Sequence, residues 1–304
     1  MRKLVVFGVL AALTGVAALP ESAAAVQQAG GGEADHTFVA LVTGSTGGLG
    51  RELALRLAAD GAHVIVHGRN AERGNELVAE IAAAGKGSAR FIAADLASFA
   101  EVRELASTIL RDYERLDLLI NNAGIWLEDD QGRLLSDDGH ELTFQVNYLS
   151  GFLLTHMLLP LVKKSAPARI IQVSSVAQRP VDFNNVMLQQ NYSAGAAYGQ
   201  SKLAQILFTV DLAAELEGTG VLTAAVHPAS MMNTDMVLER GARARSTVEE
   251  GTEAVMNAVR TPELESGTYF QGLQARQANA QAYDAAARAR LRALSVALTG
   301  VGGG

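Results

Sequence analysis

The sequence predicts an α/β protein built on a single doubly wound parallel sheet with helices on both faces. Three observations predict it. Short apolar runs alternate with segments of helical period from Phe38 to about Phe270, the pattern of a parallel sheet covered on both sides. A glycine-rich turn follows the first apolar run directly, and a helix begins inside that turn. No Pro-, Gly- or Ser-rich linker interrupts the chain after Phe38. Residues 38–304 are therefore read as one domain, and right-handed crossovers between its strands give the doubly wound order.

Each element follows from local pattern. Phe38–Thr43 is a short apolar run ending at glycines, a buried strand. Gly48–Ala59 carries Leu49, Leu53, Leu57 and Ala58 at helical spacing, and Gly61 closes it. Ala62–His67 contains Val64-Ile65-Val66, a second strand; Ala71–Ala84 is helical and stops at Gly85. Ala89–Ala94 is a third strand, and Ser98 supplies an N-cap for a helix reaching about Tyr113. Leu116–Asn121 holds a fourth strand around Leu118-Leu119-Ile120. Gly139–Leu161 is apolar enough for one long buried helix, and Arg169–Ser174 is a fifth strand. Ala196–Glu217 is a second long helix, ended by Gly218 and Gly220. Val221–Val226 is a sixth strand, Thr247 caps a helix to about Val259, and Thr268–Phe270 is a short seventh strand.

Composition excludes several functions. The chain has 304 residues, 49% hydrophobic and 19% charged, which suits a large globular core. A net charge of -7 lacks the basic face that phosphate backbones require, so no nucleic-acid partner is expected. With no cysteine there are no disulfides, thiolate nucleophiles or cysteine-ligated metals. His36, His63, His67, His140, His156 and His227 show no His-Glu-x-x-His or similar spacing. They are read as structural, and no metal is expected.

The start of the chain is different. Arg2-Lys3 precedes the apolar run Leu4–Leu19, followed by Pro20-Glu21 and by Ala23-x-Ala25. Residues 1–25 have the layout of a secretory signal or anchor, too short for an ordinary membrane span. Residues 26–37, with Gly30-Gly31-Gly32, read as a flexible linker.

The glycine-rich turn is Thr43-Gly44-Ser45-Thr46-Gly47-Gly48-Leu49-Gly50. Glycines let the backbone turn tightly and let a pyrophosphate approach. The helix N-terminus then offers free N–H groups and a positive dipole end. Thr-Gly-x-x-x-Gly-x-Gly, with Gly44, Gly48 and Gly50 in its glycine positions, resembles the short-chain dehydrogenase/reductase family. Further matches come in that family's order: Asp95-Leu96 after the third strand, Asn121-Asn122-Ala123-Gly124 after the fourth, and Asn147 in the next helix. Ser174-Ser175 then ends the fifth strand, and Tyr198-Gly199-Gln200-Ser201-Lys202 supplies Tyr-x-x-x-Lys. The resemblance covers residues 38–299. It implies a Rossmann-type fold and an NAD(P)-dependent oxidoreductase that interconverts an alcohol and a carbonyl by hydride transfer.

Tyr198 and Lys202, four positions apart, share a helix face. A neighbouring ammonium favours the phenolate and lowers a tyrosine pKa from its usual value near 10. Tyr198 then serves as acid and base toward the substrate oxygen, which Ser175 also hydrogen-bonds. The family resemblance implies that Lys202 holds the nicotinamide ribose, Asn147 a water linked to Lys202, and Asp95 the adenine. It assigns the cofactor's binding to Gly44, Ser45, Thr46, Gly48, Leu49, Gly50, Leu96, Asn122, Ala123, Gly124, Tyr198, Pro228 and Thr234 as well.

The second strand ends in His67-Gly68-Arg69-Asn70, with no carboxylate to hold two ribose hydroxyls. Arg69 can pair with a 2′-phosphate through its forked donors, which favours NADP(H) over NAD(H). Gly47, however, stands where many NADP-using relatives carry a basic residue. Ser175 and Tyr198 lie 198 − 175 = 23 positions apart, a long interval that resembles the retinol dehydrogenase and protochlorophyllide reductase-like branch. The extra segment, Arg179–Gly195, is expected near the substrate mouth. His227-Pro228-Ala229 replaces the usual Pro-Gly with Pro-Ala. Residues 230–245, with Met231, Met232 and Met236, are the expected substrate lid, and Trp126 a pocket wall or a residue packed under a loop.

Two other function classes fit the same fold: a non-catalytic dinucleotide sensor and a sugar-nucleotide epimerase or dehydratase relative. The intact Ser175, Tyr198 and Lys202 argue against the first, the short chain after Phe270 against the second. The expected partner is a small alcohol or carbonyl. The resemblance also implies a homodimer or homotetramer built from the helices at Gly139–Leu161 and Ala196–Glu217. Membrane association through residues 1–25 is a further expectation. NADPH is recycled in the cytoplasm, which favours a cytoplasmic location against the signal-like start.

Overall fold

The computed structural model describes residues 37–301, so the signal-like segment 1–25 and the linker up to residue 36 lie outside the described residues. Strands and helices alternate as β1 (Val39–Val42), α1 (Gly48–Ala59), β2 (His63–Gly68), α2 (Ala71–Ala84), β3 (Ser88–Ala93), α3 (Phe99–Asp112) and β4 (Leu118–Asn121). A helical turn, Leu142–Phe144, runs through a π-helical stretch, Gln145–Leu149, into α4 (Ser150–Lys164). The chain continues through β5 (Ala168–Val173), α5 (Ala194–Glu215), β6 (Val221–His227), α6 (Asp235–Leu238) and α7 (Val248–Arg260). It ends with β7 (Thr268–Gln271), β8 (Gln274–Ala275), a 3-10 turn at Ala280–Tyr283 and α8 (Ala285–Thr299).

The eight strands form one sheet in the order β3-β2-β1-β4-β5-β6-β7-β8. All neighbours are parallel except β7 and β8. Strand order reverses between β1 and β4, and a crevice opens at their carboxyl ends, where open α/β sheets bind ligands. Side chains alternate across the sheet. Leu41, Ile65, Leu119 and Ile170 join one core, under α3, α4, α5 and α8. Val42, Val64, Ile120 and Ile171 join the other, under α1, α2 and α7.

The α/β prediction, the single sheet and seven of its strands match the structure. Capping agrees too: Ser98 accepts from Glu101 N, and Thr247 forms a reciprocal box with Glu250. Three predictions need correction. Gly139–Leu161 is not one helix. Gly139 has φ +79° in a turn, and Glu141 caps the true start by accepting from Thr143 N and Phe144 N. The eighth strand and α8 go beyond the predicted elements. The segment Arg179–Gly195 does not line the crevice. Val181, Val186 and Leu188 are buried instead, and Gln281 Oε1 accepts from Val181 N at 2.7 Å, tying the segment to the chain's C-terminal end.

Candidate active site

The crevice floor is built by stitching the ends of β1 and β4. Thr43 Oγ1 accepts from Asn122 N and Ala123 N, both at 3.0 Å, and Asn122 Nδ2 donates to Thr43 O at 2.8 Å. Gly44 sits at φ +64°, where a Cβ would come within 2.9 Å of Ala123 Cα. Gly48, at φ +51°, leaves room for the Thr234 methyl. Glycine is the residue that tolerates both the dihedral and the approach. No side chain caps α1 at Gly47, so its first-turn N–H groups, at Gly48, Leu49 and Gly50 on the cavity wall, are left for a ligand.

These features open into a cavity of about 640 Å³. Gly44, Thr46, Gly48, Leu49 and Gly50 line one end, with Arg69, Asp95 and Leu96 beside them. Asn122, Ala123 and Gly124 also line the cavity, as do Pro228 and Thr234, the latter against Gly48. Ser175, Tyr198 and Lys202 stand at the far end. Two predicted site residues do not line the cavity. Ser45 is buried and turned inward, donating to Val42 O at 2.8 Å and accepting from His67 N at 3.0 Å. Asn147 lies in the π-helical stretch behind Gly124. Its Oδ1 accepts from Ile125 N at 2.7 Å, and its Nδ2 donates to Ile125 O and Ser201 Oγ.

Ser175 follows β5, and α5 presents Tyr198 and Lys202 one turn apart. The Ser175 hydroxyl accepts from Ala177 N at 3.1 Å. Burial pushes the Tyr198 phenol above its ordinary pKa, with a Ser175 hydrogen bond acting the other way. That reverses the direction expected from a lysine neighbour. The reason is geometric: Lys202 Nζ donates to Val173 O at 2.9 Å and to Gln205 Oε1 at 3.1 Å. Burial also pushes Lys202 down to about 7, so its positive charge is weakened near neutrality.

Beyond the glycine turn, Arg69 is largely exposed and lies 3.5 Å from Asp95. Arg73, which the sequence reading passed over, reaches back from α2. Its Nη1 lies 3.9 Å from the position a Gly47 Cβ would take and 3.2 Å from Asp235 Oδ2. A cation therefore stands beside Gly47 after all, supplied one helix later. Two histidines read as merely structural also line the cavity. His67 Nδ1 accepts from Gly44 N at 3.1 Å and so fixes the glycine turn, while burial lowers its pKa to about 4. His227 is likewise held at about 4, by burial and then by the Lys202 charge, and its Nε2 meets Ser230 Oγ.

The donor set fits a dinucleotide: free N–H groups at a helix start, arginines at one end and a hydroxyl pair with an amine at the other. Among the described residues no group of His, Cys, Asp and Glu could hold a metal ion, and no helix is long and apolar enough to cross a membrane.

Comparison with known proteins agrees with this geometry. The short chain dehydrogenase family model matches residues 38–245. Mouse retinol dehydrogenase 11 is 42% identical over 196 residues, 64% of this chain but only 61% of that protein. Human retinol dehydrogenase 11 is 35% identical over 279 residues, 86% of each chain. A crystal structure from Mycobacterium Paratuberculosis has a TM-score of 0.72 at 28% identity, covering 88% of this chain and 96% of its own. A short chain dehydrogenase from Burkholderia cenocepacia J2315, solved in complex with NADP, has a TM-score of 0.62 at 29% identity, covering 76% and 94%.

Proposed function

Because the chain belongs to the short-chain dehydrogenase/reductase family, we propose that it interconverts an apolar alcohol and its carbonyl, with Tyr198 as acid and base and with NADP(H) as the preferred cofactor. One observation carries this reading. A single cavity joins the uncapped helix start at Gly47–Gly50 to the Ser175–Tyr198–Lys202 cluster.

In the reducing direction the Tyr198 hydroxyl gives its proton to the substrate carbonyl oxygen, while Ser175 hydrogen-bonds that oxygen and holds it in place. In the oxidising direction Tyr198 takes the proton back. The nicotinamide cofactor of the family, when bound, supplies or receives the hydride. Lys202, near-neutral in pKa and 3.4 Å from where a Gly124 Cβ would stand, would hold the ribose next to the nicotinamide, as the family resemblance implies. Gly124 leaves that approach open. Asn147 fixes Ile125 and hence the wall next to it.

The substrate end is apolar. Ile125, Trp126, Met231, Met236 and Val237 line it, and methionines make such a wall adaptable. That supports a bulky apolar substrate, and retinol, which the relatives' names carry, is of this kind. The test is a panel of apolar alcohols and aldehydes, retinol and retinal included, assayed with NADPH and NADH. Turnover is expected with at least one pair, faster with the phosphorylated cofactor. Cofactor binding without turnover on any member would overturn the reading in favour of a dinucleotide sensor.

A further inference from the structure

The substrate wall contains a fastening that the catalytic cluster does not use. The chain from Met231 to Ser246 leaves the body and returns to the same place. Its neck is pinned by Arg245 N donating to Met231 O at 2.8 Å and by Asn233 N donating to Ser246 O at 3.2 Å. Met231 holds φ +54°, a left-handed conformation costly for a non-glycine residue. Between these points the loop turns Met231, Thr234, Met236 and Val237 toward the cavity.

Arg73 holds the loop at Asp235, and on the side facing residues 126–128 Arg240 makes the contacts. Arg240 Nη1 donates to Trp126 O at 2.7 Å and to Leu127 O at 2.9 Å, and its Nε lies 2.8 Å from Glu128 Oε1. The guanidinium centre sits 3.8 Å from the Trp126 ring centroid, in cation–π range. The Arg240 side chain is only 15% exposed. Planarity and the donor fork let arginine make all four contacts at once, which lysine cannot do. The Trp126 ring in turn lies 5.3 Å from the Tyr198 ring, at 31°. A surface loop is thus coupled through one aromatic ring to the proposed acid.

We propose that Arg240 is a positioning residue for this reaction: it latches the 231–246 loop onto residues 126–128 and sets Trp126 against Tyr198, fixing the wall against which the substrate's apolar part packs. The inference rests on the proposed function for its kinetic consequence, although the latch itself does not. Arg240 touches neither the glycine turn nor Lys202. Its loss therefore acts first on the substrate side, and reaches the glycine turn only through Thr234 and Asp235 of the same loop, which Gly48 and Arg73 still hold.

Trp126 is the chain's one tryptophan, so fluorescence excited at wavelengths where tyrosine does not absorb reports this ring's surroundings. The experiment compares wild type with Arg240→Ala and Arg240→Lys by acrylamide quenching, by cofactor titration and by steady-state kinetics. In Arg240→Ala, quenching of Trp126 should rise about twofold as the guanidinium cover is lost. KM for the apolar carbonyl should rise about tenfold or more, with a smaller change in kcat, because positioning is lost rather than proton transfer. The cofactor Kd should change by less than the KM, because Thr234 and Asp235 of the loop keep their own contacts with Gly48 and Arg73. Arg240→Lys should recover part of the KM but not the quenching protection. A folded Arg240→Ala protein with wild-type quenching overturns the latch, whether or not any substrate turns over. Altered quenching with an unchanged KM overturns its positioning role. Failure of the wild type itself to turn over any carbonyl counts against the proposed function, and the quenching comparison still decides the latch.

Discussion

Lys202 Nζ lies 5.5 Å from the centroid of the Tyr198 ring and donates to Val173 O and Gln205 Oε1 rather than to the phenol. The two side chains therefore share a helix face without sharing a hydrogen bond. Burial acts on both in the same sense, raising the phenol's pKa and lowering the amine's, so each favours its uncharged form. A neutral phenol is the proton donor that carbonyl reduction requires. The Tyr198→Phe variant deletes only that hydroxyl. Turnover should fall by about 10²–10⁴-fold, with cofactor affinity nearly unchanged. Near-normal turnover in the variant, measured at saturating cofactor, would remove Tyr198 from its role.

Lys202 also predicts how stability depends on pH. Its pKa is held at about 7, against an ordinary value of 10.5. Between those values the unfolded chain binds a proton that the folded chain does not. Stability should therefore rise with pH through that window, by at most about 1.4 kcal/mol per pH unit. His67 and His227, lowered to about 4, act below the window. The raised tyrosines, Tyr148 and Tyr269 among them, act above about pH 10 and in the opposite sense. Denaturant unfolding of wild type and Lys202→Met, at about pH 7 and about pH 9 without cofactor, isolates the lysine. The expected rise in wild type should be absent from the variant. Equal pH slopes in the two proteins would show that Lys202 is not held near-neutral.

Much of this arrangement was legible in the chain because its signals are local. The glycine turn, the Ser98 and Thr247 caps and the Tyr198–Lys202 spacing each depend on residues a few positions apart. What was missed depends on distant partners. The buried positions of α8 are Ala287, Leu291, Ser295 and Thr299, and two of these four are hydroxyls, so no apolar stripe marks the helix. Ser295 is buried there because its hydroxyl meets Tyr148 OH at 2.7 Å, from 147 positions away. Strand β8 has only Gln274 and Ala275, both exposed. The long apolar stretch after Gly139 hides its irregularity. Apolar content indicates burial, whereas the π-helical turn at Gln145–Leu149 accompanies the Asn147 amide's bonds to the Ile125 backbone. Arg240 carries no local signal at all, since its partners lie 113 and 114 positions back.

The glycine turn can be tested for close packing rather than for flexibility. A Cβ at Gly50 would clash with Gly44 O and approach Asn122 Nδ2 at 2.5 Å, both parts of the crevice floor. Asn122 Nδ2 cannot withdraw without breaking its bond to Thr43 O, and Gly44 O cannot without losing the bond it accepts from Asn122 Nδ2. Gly50→Ala should therefore destabilise the fold by about 1–3 kcal/mol, lowering Tm by about 2–4 °C for each kcal/mol. It should also weaken cofactor binding by about tenfold or more, since the first turn of α1 must shift. Gly195→Ala is the control. Its Cβ would meet only the Arg179 guanidinium, Nη2 at 3.8 Å and Nη1 at 4.0 Å, ordinary contacts in the first turn of α5. That variant should be stabilised by about 0.4–1 kcal/mol. Wild-type melting and cofactor affinity in Gly50→Ala would contradict the packing argument.

The proposed preference for NADP(H) would draw on two arginines rather than one. Arg69 follows β2 and pairs with Asp95 at 3.5 Å, and Arg73, one turn into α2, pairs with Asp235 at 3.2 Å. Both arginine side chains are more than half exposed. Exposed pairs of this kind contribute little, about 0–1 kcal/mol, so either guanidinium is free to exchange its carboxylate for a stronger anion. A charge-assisted bond to a 2′-phosphate is worth about 1.5–3 kcal/mol, or about tenfold to a hundredfold in Kd. Arg69→Ala and Arg73→Ala should each weaken NADPH binding by at least about tenfold while changing NADH binding by less than about threefold. Arg73→Ala also frees Asp235, at the start of α6, from its one cross-loop cation among the described residues. A purely structural role for Arg73 would therefore weaken both cofactors alike. Isothermal titration of both variants with both dinucleotides makes the distinction. Equal losses for NADPH and NADH would show that these arginines do not read the phosphate, and would leave NAD(H) as the better candidate.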